Sequence, residues 1–120
     1  MIAVQPQISD AFSISLITVQ LNQRLDMYCE ILNSVPPATI VWYKNGEPLP
    51  NLDPNYFTRD DNQILTFTST QTGDAGSYEC RATNKAGSTN KVFNVEVQGT
   101  IWQVSKLVAP RVKISKDLNS

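Results

Sequence analysis

Residues 74–80 read Asp74-Ala75-Gly76-Ser77-Tyr78-Glu79-Cys80, and together with Leu25-Asp26-Met27-Tyr28-Cys29-Glu30-Ile31 they decide the fold. In the earlier stretch Leu25, Met27, Cys29 and Ile31 alternate with Asp26, Tyr28 and Glu30. A period of two puts one face in a core and the other in water. The later stretch begins at a corner, Thr72-Gly73-Asp74-Ala75-Gly76, and continues as a strand from Ser77 to Thr83 with Tyr78, Cys80 and Ala82 inside. The two cysteines of the chain therefore both fall on inward faces, a placement that suits a bond between two sheets rather than within one. The chain has no histidine, and two thiolates alone do not fill a tetrahedral zinc site. Whether the bond forms depends on the compartment. If it does, it restricts the unfolded chain by roughly 4 kcal/mol in the loop-entropy account.

Working outward, the strand signals repeat. Pro6-Gln7-Ile8 reads as a short edge strand, where a proline without N–H is tolerated. Residues 13–20 are rich in Ser, Ile, Thr and Val, with Ile17 and Val19 inward and Thr18 and Gln20 outward. Asn22 follows at a tight turn that needs a left-handed residue. Asn33-Ser34-Val35-Pro36-Pro37 is expected to break the Leu25–Ile31 strand. Thr39-Ile40-Val41-Trp42-Tyr43-Lys44 forms the next strand, Ile40 and Trp42 facing one way and Val41 and Tyr43 the other, up to the turn Asn45-Gly46. Pro48 and Pro50 are expected to keep the segment after it irregular. Tyr56-Phe57-Thr58 and Gln63 to Thr68 read as a hairpin around Asp60-Asp61-Asn62, with Leu65 and Phe67 inward. After a turn at Asn84-Lys85-Ala86-Gly87, the last clear strand runs from Lys91 to Val97 with Phe93, Val95 and Val97 inside. Seven or more short strands with regular turn signals predict an all-β, two-sheet sandwich.

These residues resemble the immunoglobulin superfamily, and within it the intermediate set, or I-set. The likeness rests on Cys29, then Trp42-Tyr43-Lys44-Asn45-Gly46, then Leu65, then Asp74 to Cys80, then Ala82-Thr83-Asn84-Lys85-Ala86-Gly87, and covers about residues 6–98. It implies a Greek-key sandwich in which Trp42 packs on a Cys29–Cys80 bond and the Tyr78 hydroxyl bonds back to the backbone at the corner. It implies that Asp74 stabilises that corner, commonly with an arginine early in the fourth strand; the nearest here is Arg59, a few residues late. Asn22 stands where the family usually has glycine.

The totals exclude more than they assign. The 120 residues fit one domain, 41% hydrophobic and 18% charged, an ordinary globular composition. A net charge of −1 offers no electrostatic case for nucleic acid. No apolar run approaches the ~20 residues that span a bilayer, so no membrane insertion is expected of this segment. Without histidine there is no Ser-His or Cys-His pair, and the five scattered glycines make no phosphate cradle. Asp60 and Asp61 read as solvated turn formers. Neither enzyme activity nor a cofactor or metal is expected.

Two segments of the chain are expected: residues 1–98 as one I-set domain, and residues 99–120 as a linker or tail. In the tail, Ala109-Pro110-Arg111-Val112-Lys113-Ile114 resembles the opening strand of a following immunoglobulin domain; residues added for expression and a native docking tail are the alternatives. Trp102 is the expected junction residue, because a linker indole is more often buried than free. No signal peptide is read at the N-terminus, and the chain is expected to be a fragment of a longer protein.

Binding is the remaining function. Partners are expected on an exposed face made by Val41, Tyr43, Arg81 and Val92, beside Glu79, since Tyr and Arg favour interfaces. Edge strands near Pro6 and Tyr56 are expected to be open to pairing between copies. The resemblance implies a protein-interaction module of a cell-surface adhesion or receptor protein, meeting another protein homophilically or heterophilically, with a neighbouring immunoglobulin domain in cis. A cytoplasmic spacer of a muscle or cytoskeletal giant protein is the alternative. The absence of any Asn-x-Ser/Thr acceptor weighs slightly toward it.

Overall fold

The strand signals become ten strands in a computed structural model of the chain, which describes residues 2–11, 13–50 and 53–99. In chain order they are β1 (Val4–Ile8), β2 (Ile14–Gln20), β3 (Leu25–Tyr28), β4 (Ile31–Val35), β5 (Thr39–Lys44), β6 (Glu47–Pro48), β7 (Tyr56–Arg59), β8 (Ile64–Phe67), β9 (Gly76–Asn84) and β10 (Gly87–Gln98). One layer has the order β2-β10-β9-β5-β6. The other holds β3-β8-β7, with β1-β4 continuing it, since only Cys29 and Glu30 separate β3 from β4. All pairings are antiparallel except β2 with β10.

The core is built by the alternation. Met27, Cys29, Trp42, Leu65, Phe67, Tyr78, Cys80, Ala82 and Phe93 form one buried cluster, with Ile17, Val19 and Val97 packed on its margin. Each large apolar side chain buried there contributes on the order of 1.5–3 kcal/mol. The Phe67 and Tyr78 rings meet edge-on at 5.6 Å, and Trp42 and Phe93 lie at 5.6 Å with a tilt of 34°. Such pairs add to area burial, about 0.5–1.5 kcal/mol each.

Turn residues take the conformations their chemistry favours. Asn22 has φ +70°, and Asn45 and Gly46 have φ +50° and +86° in the two-residue loop joining Lys44 to Glu47. Asp60, Asp61 and Asn62 are all left-handed, which turns β7 into β8.

Two expectations need correction. Asn33-Ser34-Val35 does not end the strand: it belongs to β4 and pairs with β1, Asn33 opposite Gln7 and Val35 opposite Val4. An edge pairing tolerates the prolines because they come after its last residue. Pro48 does not leave its segment wholly irregular, for Glu47–Pro48 pairs with Lys44 and Tyr43 as a short edge. Arg59, late in sequence for the corner, lies elsewhere: its guanidinium is 3.5 Å from the Asp26 carboxylate, across β8 on the outer surface of β3-β8-β7. Ile31, read as inward, is half-buried. The tail after Gly99, Trp102 included, lies outside the described residues.

Candidate functional site: an exposed sheet face

Inside the sandwich the chemistry is structural. Cys29 and Cys80 are bonded, and both are fully buried. Trp42 stands opposite Cys80 in the β5–β9 register, and its indole N–H donates to the Asn62 carbonyl at 2.7 Å. The hairpin between β7 and β8 is thereby tied to the opposite layer. At the corner, the 3-10 turn Thr72–Asp74 holds the Asp74 carboxylate against the Gln71 N–H at 2.8 Å. Tyr78 donates its hydroxyl to the Asp74 carbonyl at 2.5 Å. Burial first, then the negative charge of Asp74, pushes the Tyr78 phenol well above its ordinary range. Leu65 is fully buried beneath these groups.

The same alternation that buries Trp42 and Cys80 turns Val41, Tyr43, Glu79 and Arg81 outward. Register sets Val41 opposite Arg81, and Tyr43 opposite Glu79, which in turn faces Val92 across β9 and β10. The Arg81 guanidinium lies 4.4 Å from the Tyr43 ring centroid and 3.2 Å from a Glu79 carboxylate oxygen. Asn90 donates to the other Glu79 oxygen. An exposed cation–π contact is worth about 0.5–1 kcal/mol, and it fixes a side chain that would otherwise be mobile. Val41 beside it is 41% exposed. The four residues expected on a partner face are thus brought together on one surface.

Sequence reasoning missed how far this face extends. Ile14 continues the Val92 row and Leu16 sits opposite Asn94; they are 59% and 80% exposed. Period two was the available signal: with Ile17 and Val19 inward, Ile14 and Leu16 had to point out. The reverse holds for β8, where Ile64 and Thr66 face outward yet are buried. The Thr66 hydroxyl donates to Asp26 at 2.6 Å, with Arg24 and Arg59 around the same carboxylate. The Thr66 hydroxyl, ahead of the arginines, holds the Asp26 carboxyl below the usual range.

The loop at Asn84 is a tie rather than an offered surface. Its amide donates to the Val4 carbonyl at 2.7 Å and the Pro36 carbonyl at 2.9 Å, while its oxygen accepts from the Ala86 N–H at 2.8 Å. Among the described residues no three His, Cys, Asp or Glu side chains gather as metal ligands, and no helix is long and apolar enough to cross a membrane.

The arrangement matches known proteins. The Immunoglobulin I-set domain family matches residues 8–97. Hemicentin-1 of Mus musculus is 37% identical over 81 residues, 68% of this chain and 1% of that protein. Neural cell adhesion molecule 1 of Rattus norvegicus is 31% identical over 97 residues, 78% of this chain and 11% of its own. Muscle M-line assembly protein unc-89 of Caenorhabditis elegans is 31% identical over 91 residues, 74% of this chain and 1% of its own. Among solved structures, an immunoglobulin domain of the titin M10–obscurin-like 1 complex superposes with a TM-score of 0.64 at 29% identity, covering 71% of this chain and 87% of that one. The chain thus spans a small part of the curated relatives it matches. It belongs to the immunoglobulin superfamily, as an I-set domain.

Proposed function

We propose that the chain is a non-catalytic protein-interaction module, one immunoglobulin domain of a larger extracellular or cell-surface adhesion or receptor protein. The observation that carries this reading is the Cys29–Cys80 bond, fully buried at the centre of the core. Disulfides persist in oxidising compartments and are rare in the cytosol. The likeness to a neural cell adhesion molecule supports it. The partner surface in this reading is the face of Val41, Tyr43, Arg81 and Val92. Arg81 is already held by Tyr43 and Glu79, so docking orders little that is not ordered beforehand.

Alkylation of the native protein under denaturing conditions, before and after reduction, tests the location. The extracellular reading expects Cys29 and Cys80 to be modified only after reduction. Free thiols in the native protein would overturn it. They would favour a cytoplasmic spacer of a muscle or cytoskeletal protein, the reading supported by the likeness to unc-89. The face is tested separately, by adhesion of beads carrying the parent protein with Tyr43→Ala and Arg81→Ala. The proposal expects adhesion to fall at unchanged thermal stability.

A further inference from the structure

A sheet edge is a row of unpaired N–H and C=O groups, and folded proteins blunt such rows with proline, charge or brevity. The described edges of this sandwich follow that rule to different degrees: β4, uncharged and paired only with β1, is held to five residues by Pro36 and Pro37 after it, and β2 is the long exception. β1 carries Pro6, and side chains cross it: Gln5 donates to the Ser88 carbonyl at 2.7 Å and Thr89 to the Pro6 carbonyl at 2.6 Å. β3 is four residues long and carries Asp26. β6 is two residues, Glu47 and Pro48. β7 is four residues, ends in Arg59 and runs into Asp60 and Asp61.

β2 lacks proline, charge and brevity; only its last residue is covered, where the Gln20 carbonyl accepts from the Thr70 hydroxyl at 2.9 Å and the Gln23 N–H at 3.1 Å. It is seven residues, Ile-Ser-Leu-Ile-Thr-Val-Gln, and no charged residue, proline or glycine occurs anywhere from Ala11 to Gln23. Among the described residues it pairs only with β10, in parallel, so its other edge is left without a strand. Beside that edge Ile14 and Leu16 are 59% and 80% exposed. This composition, β-branched and uncharged, favours strand addition.

We propose that the free edge of β2 is a self-association site, at which β2 of a second copy of this chain adds antiparallel about a two-fold axis. This inference is independent of the Tyr43–Arg81 face. The occupant follows from charge. An uncharged strand offers nothing to select a partner of opposite sign, and it meets its own copy without repulsion. The nearest like charges on the outer face, Glu96 of each β10, lie three strand spacings apart, about 14 Å or more. That exceeds the Debye length of about 8 Å at physiological salt. With Ile17 on the axis, Leu16 faces Thr18 and Ile14 faces Gln20 of the other copy, while Ser15, Ile17 and Val19 stay on the core side. The two five-stranded layers then become one continuous sheet, with the isologous symmetry of a closed dimer.

Sedimentation velocity of the 120-residue chain over a concentration series, with hydrogen exchange at its two ends, tests this. The wild type is expected to shift from monomer to dimer with rising concentration, with those amides of Ile14–Gln20 that do not bond to β10 gaining protection in step. Leu16→Lys places two ammonium-bearing side chains at diagonal positions across the axis, about 7–8 Å apart and so comparable with the screening length. It is expected to weaken association at least tenfold without changing thermal stability, because residue 16 is exposed. Leu32→Lys, at a 61% exposed position on β4, is the control and is expected to leave association unchanged. A wild type that stays monomeric into the high micromolar range overturns the proposal. So does a dimer indifferent to Leu16→Lys. Protection at every concentration of the β2 amides that do not bond to β10 also overturns it, since another part of the same chain then occupies the edge.

Discussion

The Tyr78 hydroxyl donates to the main-chain carbonyl of Asp74, four residues earlier, at 2.5 Å, and both residues are buried. The bond closes the corner from both sides, because the Asp74 carboxylate accepts from Gln71 N–H and the Asp74 N–H donates to the Gln71 carbonyl at 2.9 Å. Lys44 caps the outside, its ammonium 5.7 Å from the Tyr78 ring centroid and bonded to the Gly73 carbonyl. The family's arginine is absent from this corner because Arg59 serves Asp26; a lysine from β5 crosses over it instead.

Tyr78→Phe is expected to cost about 1–3 kcal/mol, since it leaves a buried carbonyl without its donor while keeping the ring packing. Its pH dependence is specific. The folded phenol titrates above its unfolded value of 10.0, so its contribution is complete below pH 10.0 and is lost as pH rises beyond it. Urea midpoints measured on the alkaline side should fall more steeply in wild type than in Tyr78→Phe. Parallel slopes would remove the corner from the account.

Reduction of Cys29–Cys80 is expected to lower stability by roughly 4 kcal/mol, the loop-entropy value for fifty-one residues of separation. Urea unfolding with and without a strong reductant measures it. A loss under about 1 kcal/mol would mean that the cluster around Trp42 and Leu65 suffices by itself, well below the usual range for a native disulfide.

Most of the fold was legible because period two and turn chemistry are local. Leu25 to Cys29, Thr39 to Lys44 and Tyr78 to Ala82 needed only alternation, and Asn22, Asn45 and Asp60 to Asn62 only their tolerance of positive φ. What stayed hidden depends on neighbours distant in sequence. Nothing near Asn33 or Ser34 announces that β1 lies alongside and extends the strand to Val35. Nothing near Thr66 tells that Asp26, forty residues earlier, will cover it. Arg59 carries no local sign of whether it turns toward Asp74 or Asp26. The outward row of Val41, Tyr43, Arg81 and Val92 was legible, but the Tyr43–Arg81–Glu79 network required the register of β5 on β9.

Asp26→Asn tests the outer cluster. The Asp26 carboxyl is held below its usual range, chiefly by the Thr66 hydroxyl, so its contribution is present above the ordinary aspartate pKa and is lost as pH falls through the lower folded value. Asn at this position is expected to cost on the order of 1 kcal/mol at neutral pH, the scale of one hydrogen bond to a charged group in a partly exposed site. It should also flatten the decline of stability below about pH 4. Urea midpoints from acid to neutral pH check both, and an unchanged acid limb would exclude Asp26 as its source.

Asn84→Ala asks whether the turn before β10 holds the N-terminal strand. One side chain joins the start of β1, the β4–β5 connection and its own turn through three hydrogen bonds. Gly87 assists, since it has no Cβ to crowd the Gln5 side chain, which lies 3.1 Å from where one would stand. Alanine at 84 removes two donors and an acceptor at once and is expected to cost about 1–3 kcal/mol. The loss should be uneven. Amides of Gln5, Gln7 and Ile8 should lose more exchange protection than those of β9 and β10, because among the described residues β1 has only β4 as a ladder partner. A uniform loss would make Asn84 an ordinary turn former. No loss at all would leave β1 held by Gln5, Thr89 and β4 alone.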